Sequence, residues 1–138
     1  MRFCTAITCM DGRIQLPVIR FLQKRFDARY VDSITEAGPN LILSQQKRTA
    51  SIQAILERLK ISVENHESTG VAVVGHHDCA GNPATQDDQI AHIQEAIEFL
   101  RQHHANLEMV GLWVDGNWDV HEVDAVASRY RGSGSDAG

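Results

Sequence analysis

Gly70-Val71-Ala72-Val73-Val74-Gly75-His76-His77-Asp78-Cys79 decides the fold. Residues 70–75 are a continuous apolar run between glycines, the pattern of a strand buried on both faces of a parallel sheet. Such a strand needs crossover connections before and after it, and the flanking segments supply them. Upstream, residues 44–66 carry Ile52, Ile55, Leu56, Leu59 and Val63 at helical spacing, which predicts one long helix. Downstream, Thr85-x-x-Asp88 has the form of a capping box, opening a helix whose inward residues are Ile90, Ile93, Ile97 and Leu100.

Working outward, residues 3–8 form an apolar-rich first strand in which Cys4 packs as a small hydrophobe. A helix follows over residues 15–26, with Pro17 in its first turn and Val18, Phe21, Leu22 and Phe26 as its apolar stripe. Arg20, Lys24, Arg25 and Arg29 read as a solvated face. A second strand covers residues 29–34, and Gly38-Pro39 breaks the loop over 35–40. Residues 109–114 form a fourth strand. The turn Asp115-Gly116-Asn117 then leads into residues 118–123 as an antiparallel edge strand. The expected fold is a three-layer α/β domain over residues 1–131. It has a mostly parallel sheet of four strands plus one antiparallel edge strand, with helices on both faces. Residues 132–138, rich in Gly and Ser, read as a flexible tail.

Over 138 residues, 43% are hydrophobic and 22% charged, ordinary values for one globular domain. A net charge of −5 offers no basic footprint for nucleic acid or anionic membrane. Glycine-rich phosphate loops are absent. There is no charged-then-apolar leader and no apolar run near ~18 residues, so neither a targeting nor a membrane-spanning segment is expected. Three cysteines, an odd number, point to reduced thiols in a cytoplasm.

The chemistry gathers at two strand ends. Cys9-Met10-Asp11-Gly12-Arg13 follows the first strand and His76-His77-Asp78-Cys79 the third. As neighbours in a parallel sheet, with strands ~4.8 Å apart, the two would open at the carboxyl edge, where α/β sheets bind ligands. Two thiolates sharing one tetrahedral zinc would lie ~3.8 Å apart. Cys9, His76 and Cys79 make a Cys₂His set, which leaves zinc a fourth position for chemistry. Asp11 can either fill that position or turn away from it, and a guanidinium at Arg13 can hold the carboxylate in two-point geometry. His77 competes with His76 as a ligand, although the x-x spacing to Cys79 favours His76. Asp78 is placed to orient a ligand. His103 and His104, near the end of a helix, read as surface residues.

Cys9-x-Asp11-x-Arg13 followed by His76-x-x-Cys79 resembles the signature of the β-class carbonic anhydrases. The likeness extends to Glu36-Ala37-Gly38-Pro39-Asn40, to Gly75-His76 and to Gly111-Leu112-Trp113-Val114-Asp115, and covers residues 2–123. It implies zinc as cofactor and reversible hydration of carbon dioxide to bicarbonate by a zinc-bound hydroxide. Asp11 and Arg13 would be the catalytic pair, with Asp11 the fourth metal ligand in a closed state. A homodimer or higher homo-oligomer is also implied. The sequence departs from the family's pattern at Thr35-Glu36, where an Arg-Asn pair is usual, and at Ala80, where a glycine is usual. It also has no counterpart of the N-terminal helical arm. Two other readings stay open. One is a zinc lyase or hydrolase acting on carbon disulfide or carbonyl sulfide. The other is a non-catalytic zinc-binding or thiol-sensing protein closed by Asp11.

Overall fold

A computed structural model describes residues 2–125, so the end expected for the domain at 131 and the tail over 132–138 lie outside the described residues. The elements run β1 (Phe3–Cys9), α1 (Gln15–Arg25), β2 (Tyr30–Glu36), α2 (Pro39–Ser44), α3 (Ala50–Asn65), β3 (Gly70–His76), α4 (Gln86–Arg101), β4 (Glu108–Val114) and β5 (Val120–Val123). The sheet order is β2-β1-β3-β4-β5. β2, β1, β3 and β4 are parallel, and β5 pairs antiparallel with β4, Val114 opposite Val120. All seven residues of β3 are buried, which its unbroken apolar run requires.

Alternation along the strands sends side chains to two cores. Ile7, Ile34, Val71, Val73 and Met109 pack with Leu43 of α2, Ile52, Ile55 and Leu59 of α3, and Ile93, Ile97 and Leu100 of α4. Cys4, Ala6, Ala72, Val74, Val110 and Leu112 face the other way, onto Val18 and Leu22 of α1 and onto Phe26. Each fully buried aliphatic side chain contributes ~1.5–3 kcal/mol. The three layers are therefore as expected.

The single helix expected over 44–66 is α3, which starts six residues later, at Ala50, and carries the whole expected stripe, while a short helix that was not expected, α2, precedes it over 39–44. α2 starts after left-handed Gly38, with Pro39 in its first turn, a position that suits proline. It stops at Gln46, whose φ of 54° is also left-handed. The Gln46 side chain donates to the Glu95 carbonyl at 3.1 Å. α3 then starts on its own cap, with Thr49 Oγ1 accepting from Ile52 N at 3.2 Å. The cap at Thr85 likewise accepts from Asp88 N at 3.2 Å. On α4, buried Gln89 and Gln94 share the inward face, while Ile90 is only half-buried. The strand expected over 118–123 begins at Val120, because residues 115–119 form the turn. Arg25 is not merely solvated: it pairs with Glu122 at 2.8 Å and Glu108 at 3.1 Å, tying α1 to β5 and β4.

Candidate metal centre

β1 and β3 are parallel neighbours, with Ala6 beside Ala72 and Ile7 beside Val73. The chain leaves β1 towards β2 and leaves β3 towards β4, on opposite sides. Their carboxyl ends therefore meet at the switch point of the sheet, where a crevice forms. Cys9 ends β1, His76 ends β3, and Cys79 follows three residues later. The two sulfurs lie 3.8 Å apart, the spacing of two thiolates on one tetrahedral zinc. With a His76 ring nitrogen they form a buried group whose ligand atoms all lie within 4.8 Å of one another.

The tautomer of His76 follows from its contacts. Nδ1 lies 2.8 Å from the His77 carbonyl and donates to it, which leaves the lone pair on Nε2. That nitrogen is buried and has no hydrogen-bond partner, a state it shares only with Thr8 Oγ1 among the described side chains. An unmet buried polar atom costs ~1–3 kcal/mol. A metal ion would satisfy it, and a ligand histidine commonly donates its other N–H to a backbone carbonyl. Two thiols and one free imidazole nitrogen at this spacing fit zinc.

The thiols differ. Burial pushes Cys9 up, but in metal-free protein a protonated His76 ring beside the sulfur, with the backbone N–H groups of Gly38 and Asp11, outweighs it and brings the thiol down to about 7. Burial, helped by the charge of Cys9, raises Cys79 despite the N–H groups of Asn82 and Gly81. Burial also raises Cys4 to about 11. In metal-free protein, thiolate absorbance near 240 nm should rise with a midpoint near 7, and Cys9→Ser should abolish that step. Retention of the step in Cys9→Ser would assign it elsewhere.

Those N–H groups depend on two touching loops. A Cβ on Gly81 would lie 2.4 Å from the Ala37 carbonyl carbon, and one on Gly38, at φ +66°, would lie 2.7 Å from the Gly81 carbonyl carbon. Only glycines allow this approach. Beneath them runs a buried amide network that the sequence reading missed. Gln89 Oε1 accepts from His76 N at 3.2 Å, and Gln89 Nε2 donates to the His76 carbonyl at 2.9 Å and to the Asn82 carbonyl at 3.0 Å. Asn40 Nδ2 donates to Gln89 Oε1 at 3.2 Å, and Asn82 Nδ2 to Asn40 Oδ1 at 3.3 Å. One glutamine thus holds both main-chain groups of His76, a candidate ligand. Its signal was a polar residue on the inward stripe of α4.

Asp11 and Arg13 lie at the edge of this group. Arg13 Nε donates to Asp11 Oδ1 at 3.0 Å and Arg13 NH2 to Asp11 Oδ2 at 2.7 Å. The Arg13 guanidinium holds the Asp11 carboxyl at about 2, so it is ionised at neutral pH. Gln15 Nε2 fastens the loop by donating to the Cys9 carbonyl at 2.8 Å and the Asp11 carbonyl at 2.7 Å. Asp78, expected to orient a ligand, is instead bonded to Arg13. His77 has an exposed side chain near Gly116, and its carbonyl rather than its ring serves His76. His103 and His104 line a surface groove with Arg48, Lys60 and Glu64, apart from the metal centre.

A family model described as "Putative carbonic anhydrase" matches residues 1–124. No curated protein matches the chain. Among solved structures, the chain is similar to a β-carbonic anhydrase of Aspergillus fumigatus at 12% identity and TM-score 0.58, over 90% of each chain. It is similar to one of the two tetrameric β-carbonic anhydrases of Sordaria macrospora at 14% identity and TM-score 0.55, covering 87% of this chain and 79% of that one. A carbonic anhydrase of Glaciozyma antarctica matches at 16% identity and TM-score 0.54, covering 88% and 81%. At these identities the likeness is one of fold.

Proposed function

The chain belongs to the "Putative carbonic anhydrase" family, and on that premise we propose that it interconverts carbon dioxide and bicarbonate at a zinc ion held by Cys9, His76 and Cys79. The observation that carries this reading is the unpartnered His76 Nε2, buried beside two sulfurs 3.8 Å apart. When bound, zinc supplies a polarised water as nucleophile, less acidified beside two thiolates than at an all-histidine site, where its pKa is ~7.

Asp11 is the proton-side partner. Ionised and held by Arg13, it accepts a hydrogen bond and does not donate one. Arg13 also keeps the carboxylate off the metal's fourth position, because the fork at Nε and NH2 engages both of its oxygens. Gln89 and the loop glycines hold the ligand-bearing main chain, so the site needs little rearrangement. Assembly into a homodimer or larger homo-oligomer and a cytoplasmic location belong to the same reading, the latter supported by three free cysteines. Among the described residues, no helix is long and apolar enough to cross a membrane.

The test is metal analysis with rapid-mixing carbon dioxide hydration on one sample. About one zinc per chain is expected, with a rate that rises from pH ~7 towards ~9 as the less acidic water ionises. Zinc-loaded protein inactive at every pH would overturn the reading. Turnover of carbon disulfide or carbonyl sulfide alone would redirect it to those substrates.

A further inference from the structure

Among the described residues, Asp27, Gln46, Glu67, Asp78 and Trp118 are the non-glycines with positive φ. Asp27, Gln46 and Glu67 need no function. Each lies two residues beyond α1, α2 or α3, where helices commonly end in a left-handed residue. Asp78, at φ 57°, and Trp118, at φ 65°, follow no helix. Trp118 closes the β4–β5 hairpin, where the turn itself calls for a left-handed residue. Glycine would meet that need without strain, and a bulky aromatic there is uncommon.

Both residues touch the same group. Asp78 Oδ2 accepts from Arg13 NH1 at 3.3 Å, and the Asp78 carbonyl accepts from Arg13 NH2 at 3.1 Å. The Trp118 ring lies against the guanidinium, 4.6 Å from centroid to Cζ. The Trp118 backbone is fixed in turn, its N–H donating to the Asp115 carbonyl at 2.9 Å. One edge of the guanidinium is thus on Asp11, another on Asp78, and a face on Trp118.

We propose that Trp118 and Asp78 are positioning residues that anchor the Arg13 guanidinium and so keep the Asp11 carboxylate on Arg13 rather than on the metal. The Arg13 side chain is 45% exposed, and an exposed ion pair restrains little by itself. An arginine held by Asp11 alone would travel with it when the carboxylate moved. One fixed by a second carboxylate, a carbonyl and a ring gives Asp11 a stationary partner. The inference rests on the proposed zinc site, with Asp11 as the mobile carboxylate.

The test uses Trp118→Gly, Trp118→Phe and Asp78→Asn, with cobalt(II) in place of zinc. Glycine accepts the left-handed backbone without strain, so loss of the ring can be read in folded protein. In Trp118→Gly the cobalt absorption spectrum should move towards that of Arg13→Ala, as a carboxylate joins the metal. The Arg13 Nε–Hε signal in ¹⁵N NMR should exchange about tenfold faster, as expected for a lost cation–π contact in a half-dry site. Hydration should fall by a similar factor, and Trp118→Phe should restore most of each effect. Asp78→Asn should shift the same signals in the same direction. Wild-type cobalt spectra and wild-type Nε–Hε exchange in both Trp118→Gly and Asp78→Asn would overturn the proposal. If the unmodified protein does not hydrate carbon dioxide, the functional reading fails, yet the spectrum and the exchange rate still decide whether Arg13 is anchored. If cobalt does not bind, the exchange rate decides alone.

Discussion

Cys79→Ser should yield protein that is folded but nearly free of zinc. Cys79 is 4% exposed and shares the site with Cys9 and His76. A serine hydroxyl fills much of the same space but is no substitute for a thiolate, so two of the three ligands remain. The fold should survive because the apolar clusters on both faces of the sheet are built mostly from aliphatic and aromatic side chains, and Cys79 is one member among many of the cluster that faces α1. Stability should nevertheless fall. A ligand present at 100 times its Kd stabilises by ~2.7 kcal/mol, or roughly 10 °C in the melting temperature for a chain of this size. Excess zinc should raise the melting temperature of the unmodified protein and leave that of Cys79→Ser almost unchanged. Metal analysis and thermal melts with and without zinc measure both effects. Full zinc occupancy in both Cys9→Ser and Cys79→Ser would remove these residues from the ligand set.

Arg13→Ala should show the opposite pattern, with zinc retained and hydration lost. Arg13 bonds to the side chains of Asp11 and Asp78 and to the Asp78 carbonyl, and to no ligand atom of Cys9, His76 or Cys79. Its removal leaves the metal site standing and releases Asp11. A charge-assisted hydrogen bond is worth ~1.5–3 kcal/mol, so the rate should drop by about 100-fold, at 1.36 kcal/mol per factor of ten. Arg13→Lys should recover little, because an ammonium cannot reproduce the two-point fork. Rapid-mixing rates on samples of equal zinc content would measure this. Unchanged turnover in Arg13→Ala would take Arg13 out of the mechanism.

Much of this could be read from the chain in order. Residues 70–75 marked the central strand because burial on both faces demands an unbroken apolar run, and β3 is buried throughout. The Thr85 cap was visible because a cap is a local pattern of side chain and backbone three residues apart. Cys9, His76 and Cys79 stood out for a similar reason. Each sits at or just past a strand end, and parallel neighbours bring such ends together whatever the rest of the chain does.

What only the tertiary structure decided depends on contacts between distant residues. The late start of α3 goes with a turn after α2 in which Gln46 is left-handed and its side chain sits on the Glu95 carbonyl, a contact across 49 positions. The apolar spacing from Ile52 to Val63 marks α3 without fixing where it starts, and α2 lies in a stretch that Gly38-Pro39 marks as a break. Arg25 and Glu122 are 97 residues apart, and only the placing of α1 across the sheet joins them. Gln89 became part of the candidate site because α4 packs where its amide meets both main-chain groups of His76, 13 residues earlier. The anchoring of Arg13 by Asp78, 65 residues away, and by Trp118 has the same origin. Hydrophobic period and capping are set within a few residues, whereas the partner of a charge or a buried amide is set by strand register and helix packing.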